Sequence, residues 1–139
     1  MVACGAGCYP AFSPEGKWFV CSSSPENRVF HRNAGAPDTW PRVFSSPRSR
    51  GTLVGHISFS ADSRLMSMND TMTRCAIVEQ GPWRTLYHFD SPLDETFERC
   101  ALSASGRYFT AVGTRQEIYV WDLQALEREL TALGLGVPR

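Results

Sequence analysis

The residues whose types could do chemistry are five cysteines, three histidines, one acidic loop and one arginine cluster. Cys4 and Cys8 have three residues between them, a gap within the range of a zinc-binding pair. No second pair at similar spacing follows and His31 is the nearest histidine, so a tetrahedral set is incomplete. Cys21, Cys75 and Cys100 fall in or beside segments expected to be strands, where a free cysteine acts as a small buried hydrophobe. An odd cysteine count also argues against a complete disulfide framework. Asp90, Asp94 and Glu95 could attract a cation, but they lack the alternation and glycine of a calcium loop and read as surface acidity. Arg42, Arg48 and Arg50 could hold an anion or simply solvate a loop. Ser, His and Asp residues are scattered, with no nucleophile-elbow motif to join them. The expectation is therefore no catalytic residue, no metal and no cofactor.

The element that must position these groups is a segment that recurs three times. Phe12-Ser13-Pro14-Glu15-Gly16-Lys17, Phe59-Ser60-Ala61-Asp62-Ser63-Arg64 and Leu102-Ser103-Ala104-Ser105-Gly106-Arg107 each read apolar, Ser, small, acid or Ser, Gly or Ser, basic. The motifs are 47 and 43 residues apart, and each leads into a mainly apolar strand. A second strand follows, containing His31, Val78 and Trp121 at the same gapless distance from Ser13, Ser60 and Ser103. Gly16 and Gly106 sit where a tight turn needs a permissive backbone. Trp40 and Trp83 recur ahead of segments that end in Ser-Pro and read as a fourth strand. They could grip a partner as aromatic anchors or repeat a packing role. A period of about 40–45 residues with this content points to stacked β-propeller blades.

The third copy ends in Trp121-Asp122, and from about Tyr9 to Asp122 the chain resembles the WD40-repeat family. That resemblance implies an all-β fold of about three propeller blades, an incomplete ring, followed by a short C-terminal α-helix. Residues 1–122 would hold three repeats, at about 9–47, 53–92 and 98–122, with a tail over 123–139. The polar network of such blades is not evident. Its Ser and Asp positions in the third repeat are Ala111 and Arg115, and the Gly55-His56 pair falls where the first strand should be. Apolar packing is expected to carry the blades instead.

The tail places Leu123, Leu126, Leu130 and Leu133 on one helical face, with Asp122 as N-cap and Gly134 as stop. That stripe would either cap the last blade or dock a partner. The tail is similar to the end of large bacterial multidomain WD40 proteins, some with a Ser/Thr kinase domain upstream, although no kinase motif is present here.

Charge is balanced, 14 basic against 14 acidic residues, which disfavours a nucleic-acid or anionic-membrane partner. No apolar run is long enough to span a membrane and no signal peptide is evident, so a cytoplasmic location is expected. Three blades fall short of the four a closed propeller needs. The chain therefore reads as a C-terminal piece, a truncated gene or a ring-forming subunit. Its expected role is a non-catalytic protein-interaction scaffold that self-associates or pairs with missing blades. The alternative is a regulatory or sensor fragment of a signalling kinase or propeller enzyme.

Overall fold

The computed structural model describes residues 8–23, 25–36, 38–47 and 56–136. The first sheet comprises β1 (Tyr9–Phe12), β2 (Trp18–Ser23), β3 (Glu26–His31) and β4 (Arg42–Pro47). The second comprises β5 (Ile57–Phe59), β6 (Leu65–Asn69), β7 (Arg74–Glu79) and β8 (Arg84–Asp90). The third has only β9 (Phe97–Leu102), β10 (Tyr108–Gly113) and β11 (Ile118–Asp122), and α1 (Leu123–Ala132) follows at once. Every pairing is antiparallel and follows chain order, as short hairpins dictate. Strands β1, β5 and β9 lie beside one another, so the sheets stack in sequence as an open arc.

The serine of each motif is the hub of the turn that opens each sheet. Its Oγ accepts the backbone N–H five residues on, from Trp18, Leu65 and Tyr108, at 3.0 Å in all three sheets. Its backbone N–H reaches the carbonyl of that same residue, at 3.0, 3.0 and 2.8 Å. Its carbonyl accepts from Gly16, Ser63 or Gly106 at 2.9 Å, and those residues have φ of 69°, 55° and 69°. Positive φ suits glycine. At Ser63 the side chain is kept and its hydroxyl meets the Glu15 carboxylate of the preceding turn. The turns touch in series, since Ala61 N–H also donates to Ala104 O at 2.8 Å.

The gapless alignment of the second strands fails in the first sheet. Trp18 pairs with His31, whereas Leu65 pairs with Glu79 and Tyr108 with Asp122. The β2–β3 hairpin is thus one residue shorter than the β6–β7 and β10–β11 hairpins. Phe30, not His31, is the counterpart of Trp121, and His31 takes the place of Asp122. His56 also differs from expectation: it lies just ahead of β5 rather than within a strand.

Two apolar layers join the sheets. Val20 and Val29 of the first sheet meet Met66, Met68, Ala76 and Val78 of the second, with Trp18, Phe44, Phe59 and Trp83 packed around them. Cys75, Ile77 and Phe89 then meet Cys100, Leu102, Phe109 and Ala111 of the third. Trp121 stacks on Phe109 at 5.3 Å and lies 4.9 Å from Phe89. Asp122 caps α1 by accepting from Gln124 and Ala125 N–H, both at 3.1 Å. Leu123 is buried and Leu126 packs on the second layer, while Leu133 is 72% exposed, so only the start of the leucine stripe is docked.

Ser60→Ala removes an acceptor from Leu65 N–H at a site only 1% exposed. It should cost about 1–2 kcal/mol in chemical denaturation, and an unchanged midpoint would deny the serine its role as hub. Leu123→Ala should cost about 2–4 kcal/mol by leaving a hole beneath α1. A Leu133→Ala midpoint within about 0.5 kcal/mol of the parent is expected alongside it.

Candidate functional site

Two ends of the arc carry the polar side chains. One end bears the serine-motif turns and the loops after β3 and β7. The motif cations are Lys17, Arg64 and Arg107, and each precedes the first residue of β2, β6 or β10. Arg107 forks onto Asp122 through Nη2 at 2.7 Å and Nε at 3.1 Å. That guanidinium, then the helix N–H groups, hold the Asp122 carboxyl below the usual aspartate range. Asp62 is likewise held low, first by the Ser60 hydroxyl and then by Arg64 N–H. The backbone closes alike in each sheet: the carbonyls of Lys17, Arg64 and Arg107 accept from Arg32, Gln80 and Leu123 at 2.8, 2.8 and 2.7 Å. A cavity of about 200 Å³ lies between the second and third turns, edged by Arg64, Tyr87, Gly106 and Glu127. A wider one, about 510 Å³, is lined by Lys17, His31, Arg32, Asn33 and Ala34.

The opposite end holds a network that the sequence reading missed. Glu95, expected as surface acidity, is 6% exposed. Its carboxylate accepts from Tyr119 OH at 2.7 Å, Arg115 N–H at 2.8 Å and Thr114 Oγ at 3.3 Å, while its own N–H donates to Ser91 Oγ at 3.1 Å. Those bonds, the Tyr119 hydroxyl foremost, lower its pKa, and the same contact raises that of Tyr119. A Cβ on Gly113 would fall on this carboxylate, which explains the glycine there. The available signal was position: Glu95 stands two residues ahead of β9, facing a hairpin that carries Gly113 and Tyr119.

A second polar chain crosses all three sheets. Ser22 Oγ donates to Asn27 Oδ1 at 2.5 Å, Asn27 Nδ2 to Asn69 O at 3.2 Å, and Cys100 Sγ to Asn69 Oδ1 at 3.1 Å. Expecting apolar packing alone was therefore wrong. Buried amides fix the register between sheets, and the Glu95 carboxylate ties the connection ahead of β9 to the β10–β11 hairpin.

The remaining candidates are dispersed. Asp90 pairs with Arg74 at 2.7 Å and Arg42 with Glu26 at 3.6 Å. Arg48, Arg50, Cys4 and Gly55 lie outside the described residues. Trp83 (φ 52°) stacks on Phe44 at 5.6 Å and meets Trp18 edge-on at 5.0 Å, between the first two sheets. Trp40 meets Phe12 at 5.8 Å and Phe19 at 6.2 Å, on the uncovered face of the first sheet. Cys21 is not a free thiol as expected but is joined to Cys8, while Cys75 and Cys100 are free and buried. His88 lies 3.5 Å from Asp70, and His31 packs on Trp18 at 4.2 Å. Among the described residues, no three His, Cys, Asp or Glu side chains converge as metal ligands.

No family model and no curated protein matches the chain. Among solved structures it is similar to the β-propeller domain of Cps50 (Swd1) from Myceliophteria thermophila. The TM-score is 0.62 at 15% identity, over 81% of this chain and 39% of that one. The fold is that of an incomplete β-propeller. Each sheet is a blade, the arc spans well under half the length of the matched propeller domain, and the serine motif marks where each blade begins.

Glu95 sets an acid-side prediction. Its folded pKa lies below the usual glutamate value of 4.5, so its contribution is complete above that pH and fades as pH falls through the folded value. Glu95→Gln should be less stable than the parent at pH 7, with the gap closing progressively below pH 4.5 in urea titrations. A gap that stays constant with pH would rule out the carboxylate charge as the source.

Proposed function

We propose that the chain is a non-catalytic protein-interaction scaffold made of three WD40-like repeats, the C-terminal portion of a larger propeller. The observation that carries this reading is a positional match between buried and bare faces. Phe59, Met66, Val78 and Trp83 of the second blade pack against the first. Their counterparts in the first blade, Phe12, Phe19, Phe30 and Trp40, face away from the second; Phe12 is 60% exposed, Phe19 and Trp40 are half-buried, and Phe30, beside Phe19, is 7% exposed. Conversely, Trp18, Val20 and Val29 of the first blade cover the second. Their counterparts in the third, Tyr108, Thr110 and Val120, have no blade on them among the described residues, and Val120 is 61% exposed. The first and last blades thus each present, among the described residues, half of a joint that is made twice between them, and exposed apolar surface of this kind calls for a partner.

The long connection over Asn33–Trp40 supplies a loop surface of the kind propellers use for recognition. No helix among the described residues is long and apolar enough to cross a membrane. A bacterial setting rests on the resemblance of the tail to multidomain WD40 proteins. The same resemblance supports the alternative, a regulatory or sensor fragment of a Ser/Thr kinase or propeller enzyme.

Light scattering after size exclusion, across concentration, tests the bare faces. The isolated chain should exceed its 15.5 kDa monomer mass, and Phe12→Asp combined with Val120→Asp should return it to monomer. A parent chain that stays monomeric at every concentration would refute packing at these faces.

A further inference from the structure

Comparing the three blades at one position singles out the pocket on the first. In the third blade the motif cation Arg107 is neutralised from inside the chain by Asp122, the β11 residue paired with Tyr108. In the second, the same position holds Glu79, which pairs with Arg84 at 2.7 Å, and Asp62 in the motif turn accepts from the Arg64 backbone N–H at 3.0 Å. The first blade has His31 there, and the next residue is a second cation, Arg32. No described carboxylate pairs with Lys17 or Arg32. The acid of the motif turn, Glu15, is turned to the Ser63 hydroxyl.

The walls are set in place. Lys17 O accepts from Arg32 N–H at 2.8 Å, which ties the two cation-bearing segments together. His31 N–H donates to Pro41 O at 3.0 Å, and its ring lies on Trp18. Asn33 Oδ1 accepts from Gly35 N–H at 3.0 Å, and Thr39 closes back onto Ala36 O, so the loop is held by its own bonds. The result is an open cavity of about 510 Å³ whose described lining holds two cations and no carboxylate.

We propose that this pocket binds an anionic group, a carboxylate or phosphoryl group on an acidic segment of a protein partner, beside His31, which stands at the position the third blade gives to Asp122. This rests on the scaffold reading and names the chemistry of the partner. Lys17 and Arg32 supply charge-assisted hydrogen bonds, and the His31 ring, tilted against Trp18, lines the pocket beside them.

The test uses the full chain and three probes: a Glu/Asp-rich peptide, the same peptide with one phosphoserine, and inorganic phosphate. Fluorescence anisotropy of the labelled peptides, with phosphate as competitor, reads binding, and the relative affinity of the two peptides distinguishes the two anions. Lys17→Ala and Arg32→Ala should each weaken binding about tenfold, and added salt should weaken it further. His31→Asp should also weaken it about tenfold, because it installs the internal carboxylate that the third blade already has. Lys17→Arg should bind like the parent. Binding of neither peptide at millimolar concentration overturns the proposal, as does binding that survives His31→Asp and the alanine variants. Light scattering on the same samples keeps the readings apart. A chain of monomer mass that binds the peptide keeps the pocket and loses the bare-face joint, and an associating chain that binds nothing does the reverse.

Discussion

A three- or four-stranded blade has two faces and can cover neither by itself. Everything else in this molecule follows from that constraint. Met66, Met68 and Val78 are sealed with Val20 and Val29 of the first sheet lying over them, and Phe109 with Cys75 and Phe89 of the second. The apolar layers therefore belong to joints between sheets. Polar groups then decide how the joints are registered. Asn27 and Asn69 are almost fully buried and bonded across the blades, which penalises any sliding of one sheet past the next. The serine turns do the same at one end, through Ser63 to Glu15 and Ala61 to Ala104.

The last blade departs from the pattern in an informative way. Among the described residues it has three strands, and the third runs directly into α1. Asp122 serves both elements at once. One oxygen takes the Arg107 guanidinium that closes the blade, and the other takes the two N–H groups that start the helix. A single carboxylate thus couples the end of the sheet to the beginning of the tail. Leu123 beneath it anchors the first turn of a helix whose far end, at Leu133, is open to solvent.

Much of this was legible in the chain because the period is strict where the physics is local. Ser13, Ser60 and Ser103, each with a left-handed residue three positions on, could be found by spacing alone, since the turn is closed within six residues. The Asp122 cap and Gly134 with its positive φ were local in the same sense. What escaped notice depends on distance. Glu95 looked like loop acidity because its donors come from Thr114, Arg115 and Tyr119, about twenty residues away. The Asn27–Asn69 bridge joins separate repeats and has no sequence period. His31 was matched to Trp121 because a missing residue in a hairpin leaves no mark in a single sequence. The joining of Cys8 to Cys21 was hidden by an odd cysteine count, which says nothing about any one pair.

The short β2–β3 hairpin has a consequence for how such a chain can change over generations. Phe19 faces Phe30 and Val20 faces Val29, just as Phe109 faces Trp121 and Thr110 faces Val120 across the longer hairpin of the third blade. One residue more or less is therefore absorbed in the turn, and the strand after it keeps its faces. A slip of the pairing itself would be different, since strand side chains alternate in direction and all of β3 would turn over. Turn length is thus open to drift between sister blades, while the pairing of β3 behaves as a fixed reading frame.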